Sequence, residues 1–351
     1  SRYFGGYQTP RRILLIFQNP RELRATGGFA GSFALLTVQD GKIKAVEVPE
    51  GGTYAVQGQL SLQRLAPQPL RLINPRLEFH DANWWPDFPT SSRKMAELFE
   101  AADGPTVDAI VGLTADLGAQ ILALTGPLQN ETELISAENF MDVLQEVIAR
   151  DRAADRRTPK KIIASLFNPM RAAVAQAASE KPQASLALLE QALRHKDLQL
   201  WSRDDQVQAA LRRLGVTGEM SRTTGDYLSV VISNVAGGKT DRAVLTALDQ
   251  QTLISADGLA QTTLQIKRTH TGARGDPQTG LRNVAYLRVY VPQNARLIEA
   301  TGFTPPPDYL FENPSAALEP DPQVRVSETS RAIDAASRTE IWQENGKTVL
   351  G

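Results

Sequence analysis

The stretch that decides the fold reads RILLIFQNPRELRATGGF and covers residues 12–29. Its apolar run Ile13–Phe17 is bounded by turn residues, which predicts a buried β-strand. A second apolar run ends at the turn Gln39–Lys42, and the following Ile43–Val48 predicts an Asp-Gly hairpin. Between the first two strands lies a charged loop with paired glycines. This loop is the first candidate site.

The loop combines two arginines and a glutamate with the glycine pair. Glycines let backbone N–H groups approach an anion, and the planar fork of Arg binds phosphate or carboxylate in a bidentate manner. We therefore take Arg24 and Glu22 as candidate catalytic residues, and Arg21, Gly27 and Gly28 as candidate ligand-binding residues. The alternative is a solvated loop whose glycines only satisfy turn geometry, because short Gly-Gly motifs are weak signals.

Composition excludes several classes of protein. The chain has 351 residues, a length typical of about two domains. A net charge of −1 argues against a nucleic-acid partner, and the absence of Cys excludes thiol catalysis and disulfides. Three scattered His residues make a His-based zinc site improbable.

No apolar run is long enough for a transmembrane segment, and we expect a fragment whose missing flanks could hold a signal or an anchor.

A second unusual segment, HDANWWPDFPTS, covers residues 80–91. Each of its two prolines restricts the residue before it, so we expect this segment to be non-helical. Thr90 or Ser91 is expected to cap a helix from Arg93 to Ala102.

This segment is open to two interpretations. In the first, a rigid loop presents Asp81, Asn83 and Asp87 into a cleft, with the two aspartates as catalytic residues or metal ligands. In the second, Trp84 and Trp85 fill the edge of a core while the aspartates cap turns. Sequence alone does not decide between them.

Alternation of strand and helix continues along the chain. Val107–Leu113 predicts a buried strand, and Thr114 is expected to cap a helix that ends at Gly126-Pro127. Helical spacing then extends from residue 136 to about 194. Its basic cluster includes Arg156 and Arg157, which are candidate anion-binding residues or part of a solvated face.

The second half repeats the opening pattern. The β run Tyr227–Asn234 leads into a loop with Gly238, Lys239 and Asp241, and another β run, Ala243–Leu248, follows. Both loops could face one site, so Lys239 and Asp241 are added to the candidate ligand-binding residues.

The predicted fold class is α/β (α+β). We expect an α/β core over residues 12–215, with alternating strands and helices in a mixed-sheet sandwich and a helical insertion at about 136–195. A β-rich antiparallel, sandwich-like domain should follow over 216–303. Residues 304–351 are expected to form a Pro-rich extended segment, which includes a helix near residues 326–337, and a terminal hairpin.

Several separated motifs together resemble the bacterial family known as domain of unknown function 4012. They are Asn19–Arg24 with Thr26–Phe29, Asp81–Trp84 with Pro86–Pro89, Asp226–Leu228 with Asn234, Gly238, Lys239 and Asp241, and the strand Asn283–Pro292. The resemblance covers roughly residues 12–303. It implies an exported or membrane-anchored protein at the bacterial cell surface, and it implies no established activity.

The layout is also similar, more distantly, to the LytR–CpsA–Psr phosphotransferases, which transfer glycopolymers from polyprenyl-pyrophosphate carriers. That likeness implies an envelope phosphotransferase with Mg²⁺ as cofactor, arginine clamps at Arg21, Arg24, Arg156 and Arg157, and Asp81 or Asp87 as metal ligand or base. The Arg-Ser-Asp-Thr-like motif of that family is not clear in the first loop. A partial match to that motif, Lys239-Thr240-Asp241, lies in the second loop instead.

Three functions therefore remain open. The sequence favours a non-catalytic extracellular module that binds envelope glycan or neighbouring envelope proteins. The first alternative is the phosphotransferase, or an enzyme that binds polyprenyl-phosphate lipid. The second is a glycan hydrolase with Glu22 paired to Asp81 or Asp87. An enzyme predicts that the first loop, Asp81 and Asp87 converge on one pocket, whereas an assembly module predicts internal pairing of these groups.

Overall fold

The computed structural model describes residues 2–49, 51–129, 134–153, 161–276 and 278–351. Within these ranges the chain is a mixed α/β protein, as the sequence predicted, and it contains two five-stranded sheets. The strands are β1 Arg11–Asn19, β2 Phe29–Gln39, β3 Lys42–Glu47, β4 Arg64–Leu65, β5 Ala109–Thr114, β6 Leu128–Gln129, β7 Leu134–Ile135, β8 Leu198–Ser202, β9 Ser229–Asn234, β10 Val244–Ile254, β11 Ala260–His270, β12 Ala285–Pro292, β13 Glu319–Pro320, β14 Ala332–Ile333, β15 Glu340–Glu344 and β16 Lys347–Leu350. The α-helices are α1 Tyr54–Gln57, α2 Phe88–Glu100, α3 Ala115–Thr125, α4 Phe140–Ala153, α5 Lys161–Glu180, α6 Pro182–Arg194, α7 Asp205–Arg213 and α8 Pro322–Thr329, and short 3-10 helices cover Gln68–Leu72, Phe79–Trp84, Thr240–Ala243 and Asp308–Leu310.

The first sheet has the order β3-β2-β1-β5-β8, with the opening apolar run at its centre. Strand β1 pairs antiparallel with β2 and parallel with β5, so that Leu14 lies opposite both Leu35 and Ile110. Leu14 and Ile16 are fully buried. A strand with neighbours on both sides and packing on its faces requires a continuous apolar run, which explains the composition of β1.

Residues 79–100 depart from the sequence prediction. The expected non-helical segment contains a 3-10 helix over Phe79–Trp84, and Trp85 is extended, as the residue before a proline must be. The following helix α2 begins at Phe88 rather than Arg93, because Asp87 is its N-cap and accepts a hydrogen bond from the backbone N–H of Thr90. Pro89 lies in the first turn, where no donor is needed.

Both tryptophans of this segment are buried in the main core. Trp84 and Trp85 pack in one cluster with Phe33 and Phe79 and with residues from much later in the chain, including Val235. Burial of two large aromatic side chains is a major apolar contribution to stability. The segment therefore fills the core, as the second interpretation expected.

The second sheet is antiparallel, with the order β14-β15-β16-β12-β9. The terminal hairpin β15–β16 completes it, since β16 pairs with β12 from Val289↔Leu350 to Pro292↔Lys347. The preceding tail returns to the first half, where β13 pairs with β4. The Pro-rich segment is thus tied to both parts of the molecule.

The helices α4, α5 and α6 lie in the stretch whose spacing predicted helices, and each of them contacts α3. A separate small core, which includes Leu122, Phe140, Ile162 and Leu166, joins α3 to α4 and α5. Among the described residues, none of the helices combines the length and the hydropathy that crossing a bilayer demands.

Strands β10 and β11 form a sheet of their own. Their antiparallel register is continuous over eleven residue pairs, from Val244↔His270 to Ile254↔Ala260. Most of their side chains are exposed. This projecting hairpin belongs to neither of the two five-stranded sheets.

Candidate functional site

The two glycine loops lie side by side and are joined by backbone hydrogen bonds. The loop after β1 and the loop after β9 are linked because Asn234 N–H donates to the carbonyl of Leu23 at 2.9 Å, and Asp241 N–H donates to that of Arg21 at 3.2 Å. The loops that follow β1 and β9 therefore lie at one junction between the two sheets.

Asp241 is the main clamp between these loops. One of its carboxylate oxygens accepts from Leu23 N–H at 2.9 Å and from the Asn234 amide at 2.7 Å. The other accepts from Arg268 at 3.2 Å and from the Asn283 amide at 3.0 Å. Four donors use the lone pairs of a carboxylate, so Asp241 fixes the loops and is not free to bind a ligand.

Arg24 lies buried at the centre of the first loop. Its guanidinium donates to the backbone carbonyl of Asn234 and lies 3.5 Å from Glu22 and 3.7 Å from Asp81. The guanidinium also faces the ring of Phe29 at 5.3 Å. An arginine shared by two carboxylates inside the protein is a structural ion-pair cluster unless a ligand can reach it.

Asp81 is closed off on its other side by His80. The Nε2 atom of His80 lies 3.4 Å from the second oxygen of Asp81. The imidazole is packed between the rings of Phe29 and Tyr54, with centroid distances of 5.3 and 5.0 Å. His80 is a member of the cluster that the sequence analysis did not identify.

Burial raises the pKa of the Glu22 carboxyl above its ordinary value, although the nearby charges of Arg24 and Lys239 act in the opposite direction. Folding therefore has to bury an ionised carboxylate at neutral pH. Below the ordinary Glu pKa of about 4.3 the group is protonated in both states, and this cost vanishes.

We expect Glu22→Gln to stabilise the fold at pH 7 by about 1 kcal/mol, since the amide keeps the shape of the protonated acid without its charge. The difference in the free energy of unfolding between the variant and the wild type should disappear as the pH falls through the raised pKa toward about 4. Urea unfolding at a series of pH values measures this gap. The matched control is Glu47→Gln on exposed β3, which should give no pH-dependent difference.

The paired glycines serve close packing. A Cβ on Gly28 would lie 2.4 Å from the carbonyl of Asn19, which no side chain can tolerate. Gly27 N–H donates to the carbonyl of Arg24 at 3.1 Å, and the buried amide of Asn83 donates to the carbonyl of Gly28 at 2.7 Å. These groups are used within the loop and do not form the open anion cradle that the sequence analysis expected.

A buried amide network extends this packing below the loop. Gln18 accepts a hydrogen bond from the Thr26 hydroxyl, and Gln199 donates to the Thr26 carbonyl at 2.7 Å. No sequence pattern marks these residues, because only their burial distinguishes them from ordinary polar strand residues.

The other candidate cations lie at the edge of the junction. Arg21 pairs with Asp142 on α4 at 2.9 Å, and Arg242 approaches the same carboxylate at 3.7 Å. The charge of Lys239 acts on Glu22. The predicted anion-binding residues Arg156 and Arg157 lie outside the described residues.

Asp87 does not join this cluster. Its oxygens accept from Thr90 N–H, from the Thr90 hydroxyl at 2.6 Å and from Met220 N–H at 3.1 Å. Asp81 and Asp87 therefore do not form the expected metal-binding pair. No group of three or more metal-ligating side chains occurs in the described ranges, and Arg24 beside Asp81 opposes a divalent cation.

An enzyme predicted that the first loop, Asp81 and Asp87 converge on one pocket, but Asp87 lies apart from Arg24 and Asp81. Cavities open beside Asp87 and beside Arg268, and neither is lined by Glu22, Arg24 or Asp81. Distant arginines and carboxylates do meet at the loop junction, but they are paired with one another.

Fold and site together define a mixed α/β protein with two sheets joined by a buried, internally paired polar junction. Residues 8–148 match the model of the family described as Protein of unknown function (DUF4012), and this region of the chain belongs to that family. The match includes both the first loop and the Trp84-Trp85 segment, so the predicted membership is confirmed. No curated protein matches the chain.

Two solved structures show distant likeness. One is described as the transcriptional regulator yvhJ from Bacillus subtilis, with 12% identity and a TM-score of 0.31 over 63% of this chain and 85% of that one. The other is the Lin1025 protein from Listeria innocua, with 10% identity and a TM-score of 0.32 over 73% and 90%. These scores are too low to transfer a function. The likeness to the LytR–CpsA–Psr phosphotransferases stays a prediction.

Proposed function

We propose that this chain is an extracellular cell-envelope module that acts by binding and assembly rather than by catalysis, and that it self-associates through the hairpin β10–β11. The observation that carries the proposal is this projecting hairpin. The internal pairing of Arg24, Asp81 and Asp241 supports the same reading, because it leaves these groups engaged within the fold.

The hairpin exposes apolar side chains along its length. Leu245, Leu248, Leu253 and Ile254 are each more than half exposed. An isolated two-stranded sheet is at best marginally stable in water, and a third strand or a packed face stabilises it. A long hairpin with exposed leucines is therefore suited to an association surface.

The edges of this hairpin are also unprotected. Natural sheets guard exposed edges with charges, prolines or bulges. The eleven-pair ladder is regular, and its strands contain no proline and only three formally charged side chains, Asp249, Lys267 and Arg268. Such an edge favours strand addition by another chain.

A second copy of this chain fits the hairpin. In a two-fold antiparallel arrangement, the tip of one hairpin meets the base of the other. The tip carries Asp257, whose pKa is lowered by hydrogen bonds from the Ser255 hydroxyl and the Leu259 backbone, so it is anionic at neutral pH. The base carries the exposed Lys267, whereas the neighbouring Arg268 is already paired with Asp241. Leu248 and its cross-strand partner Ile266 would then pack against their counterparts.

We expect the double variant Leu248→Lys/Ile266→Lys to weaken self-association by at least about tenfold, since four like charges would meet in a dimer. Sedimentation-velocity centrifugation over a concentration series measures the effect. The control is Leu214→Lys, a leucine outside the hairpin that is 73% exposed, against 51% for Leu248. A wild-type protein that remains monomeric at its highest soluble concentration contradicts the proposal.

The phosphotransferase and glycan-hydrolase alternatives require a different geometry. Either enzyme would need Glu22 or Asp81 to face its substrate, whereas the structure directs both toward Arg24. A polyprenyl-pyrophosphate group would have to displace these carboxylates to reach the guanidinium. The internal pairing therefore favours the non-catalytic role.

A further inference from the structure

A cavity of about 550 Å³ lies where four separate parts of the chain meet. These parts are the start of α2, the end of α7, the segment 219–223 and the turn of the terminal hairpin β15–β16. Its charged lining consists of Asp87, Arg93, Arg212, Glu219, Arg222 and Lys347. The volume is within the range of small-molecule sites, which is about 300–1,000 Å³.

Lys347 is the unusual member of this lining. The residue is only 2% exposed, and its ammonium lies 4.2 Å from the centre of the Tyr227 ring. Within the described part of the chain it has neither a hydrogen-bond acceptor nor a carboxylate partner. Glu344 lies opposite Lys347 in the hairpin, but no described carboxylate oxygen lies within 4.0 Å of the ammonium of Lys347, which lines the cavity. An ammonium in this largely buried position would be stabilised by an anion in the cavity.

Two further cations of the cavity also lack an ion pair with any described residue. Arg93 contacts only the hydroxyl of Thr90, at 3.1 Å. Arg222 is exposed at the rim and forms no described hydrogen bond. Three cations from three different elements therefore surround the space.

The two carboxylates of the lining are hydrogen-bonded to other donors, although Arg222 lies near enough for its charge to act on Glu219. Asp87 is occupied by Thr90 and Met220, as described above. Glu219 accepts from Arg212 at 2.6 Å and from Gln208 at 3.3 Å. Each carboxylate is thus held by donors other than Lys347, Arg93 and Arg222.

We propose that this cavity binds a phosphate group, held by Lys347 at its base and by Arg93 and Arg222 at its sides. A phosphate offers three acceptor oxygens and a double negative charge, which matches three cations better than a carboxylate does. The remaining volume accommodates a group esterified to that phosphate. This inference is independent of self-association through the hairpin.

The test is isothermal titration of the full chain with inorganic phosphate and, separately, with glycerol phosphate, at constant ionic strength set by chloride. Saturable binding of either probe supports the site. Tighter binding of the ester identifies an esterified phosphate as the natural ligand, and tighter binding of the free ion identifies phosphate itself. Absence of saturable binding for both probes overturns the proposal.

Three variants locate the site. Arg222→Gln should weaken phosphate binding by about tenfold, and Lys347→Met by more, as expected for loss of one charge-assisted contact. Arg213→Gln removes an exposed arginine of α7 outside the cavity and should leave binding unchanged. Because Arg222 is exposed, its variant keeps the test valid if Lys347→Met does not fold.

Thermal unfolding separates ligand binding from a structural role of Lys347. With a binding role, Lys347→Met abolishes the stabilisation by phosphate and does not lower the melting temperature in its absence. If the melting temperature falls equally with and without phosphate, while phosphate still stabilises the variant, the ammonium serves only to contact Tyr227 and the proposal fails.

Discussion

Arg24→Met is expected to lower the free energy of unfolding by about 3–5 kcal/mol, as found when one member of a buried ion-pair cluster is removed. The substitution keeps much of the apolar stem but leaves Glu22 and Asp81 without their shared cation. It also deprives the carbonyl of Asn234 of its donor, so the link to the second loop is weakened. Urea unfolding, followed by circular dichroism, measures the loss.

The matched control lies three residues earlier in the same loop. Arg21 pairs with Asp142, whose carboxylate is 68% exposed, so Arg21→Met should cost only about 0–1 kcal/mol. Both variants remove one arginine from the same loop, and the two sites differ in burial and in the number of partners.

An undiminished stability of Arg24→Met would change the interpretation of the junction. Such a result would mean that Arg24 is not used for stability, and is available to a ligand. If polyprenyl-pyrophosphate with Mg²⁺ then stabilised the wild type but not this variant, the phosphotransferase hypothesis would gain its first support.

The second large effect is expected at Asp321. Its carboxylate is fully buried and lies 2.8 Å from the ammonium of Lys94 on α2, which is 2% exposed. Its other oxygen accepts from the backbone N–H groups of Gln323 and Val324 and so caps α8. This residue therefore fastens the C-terminal segment to the first half of the molecule.

Asp321→Ala should cost about 3–5 kcal/mol, because it leaves Lys94 close to a single remaining acid, Glu97, and removes a helix cap. Asp321→Asn, which keeps the cap, should cost less. The control is Glu319→Ala, whose pair with Arg64 is 73% exposed on the acid side and should contribute at most about 1 kcal/mol. If chemical denaturation shows equal losses for Asp321→Ala and Glu319→Ala, the buried pair does not hold the tail.

Much of the local structure could be predicted from the sequence. The apolar run of β1, the Asp-Gly hairpin of β2 and β3 and the helix after Thr114 all follow from short-range rules. The start of α2 was misplaced because two plausible caps, Thr90 and Ser91, follow the true cap, Asp87. Three neighbouring polar residues can each cap a helix here, and Asp87 is the one whose carboxylate accepts from a first-turn N–H group.

The sequence by itself determined the elements, the family of residues 8–148 and the residues worth examining. Only the tertiary structure decided what those residues do. Arg24 meets Asp81 across 57 positions of the chain, and Asp241 meets Leu23 across 218. The tertiary structure also decided that Asp87 lies apart from Arg24 and Asp81. It decided as well that Lys347 forms no ion pair with a carboxylate in the described chain. The physical reason is that periodicity and capping act over a few residues, whereas the pairing of charges depends on which sheets pack together.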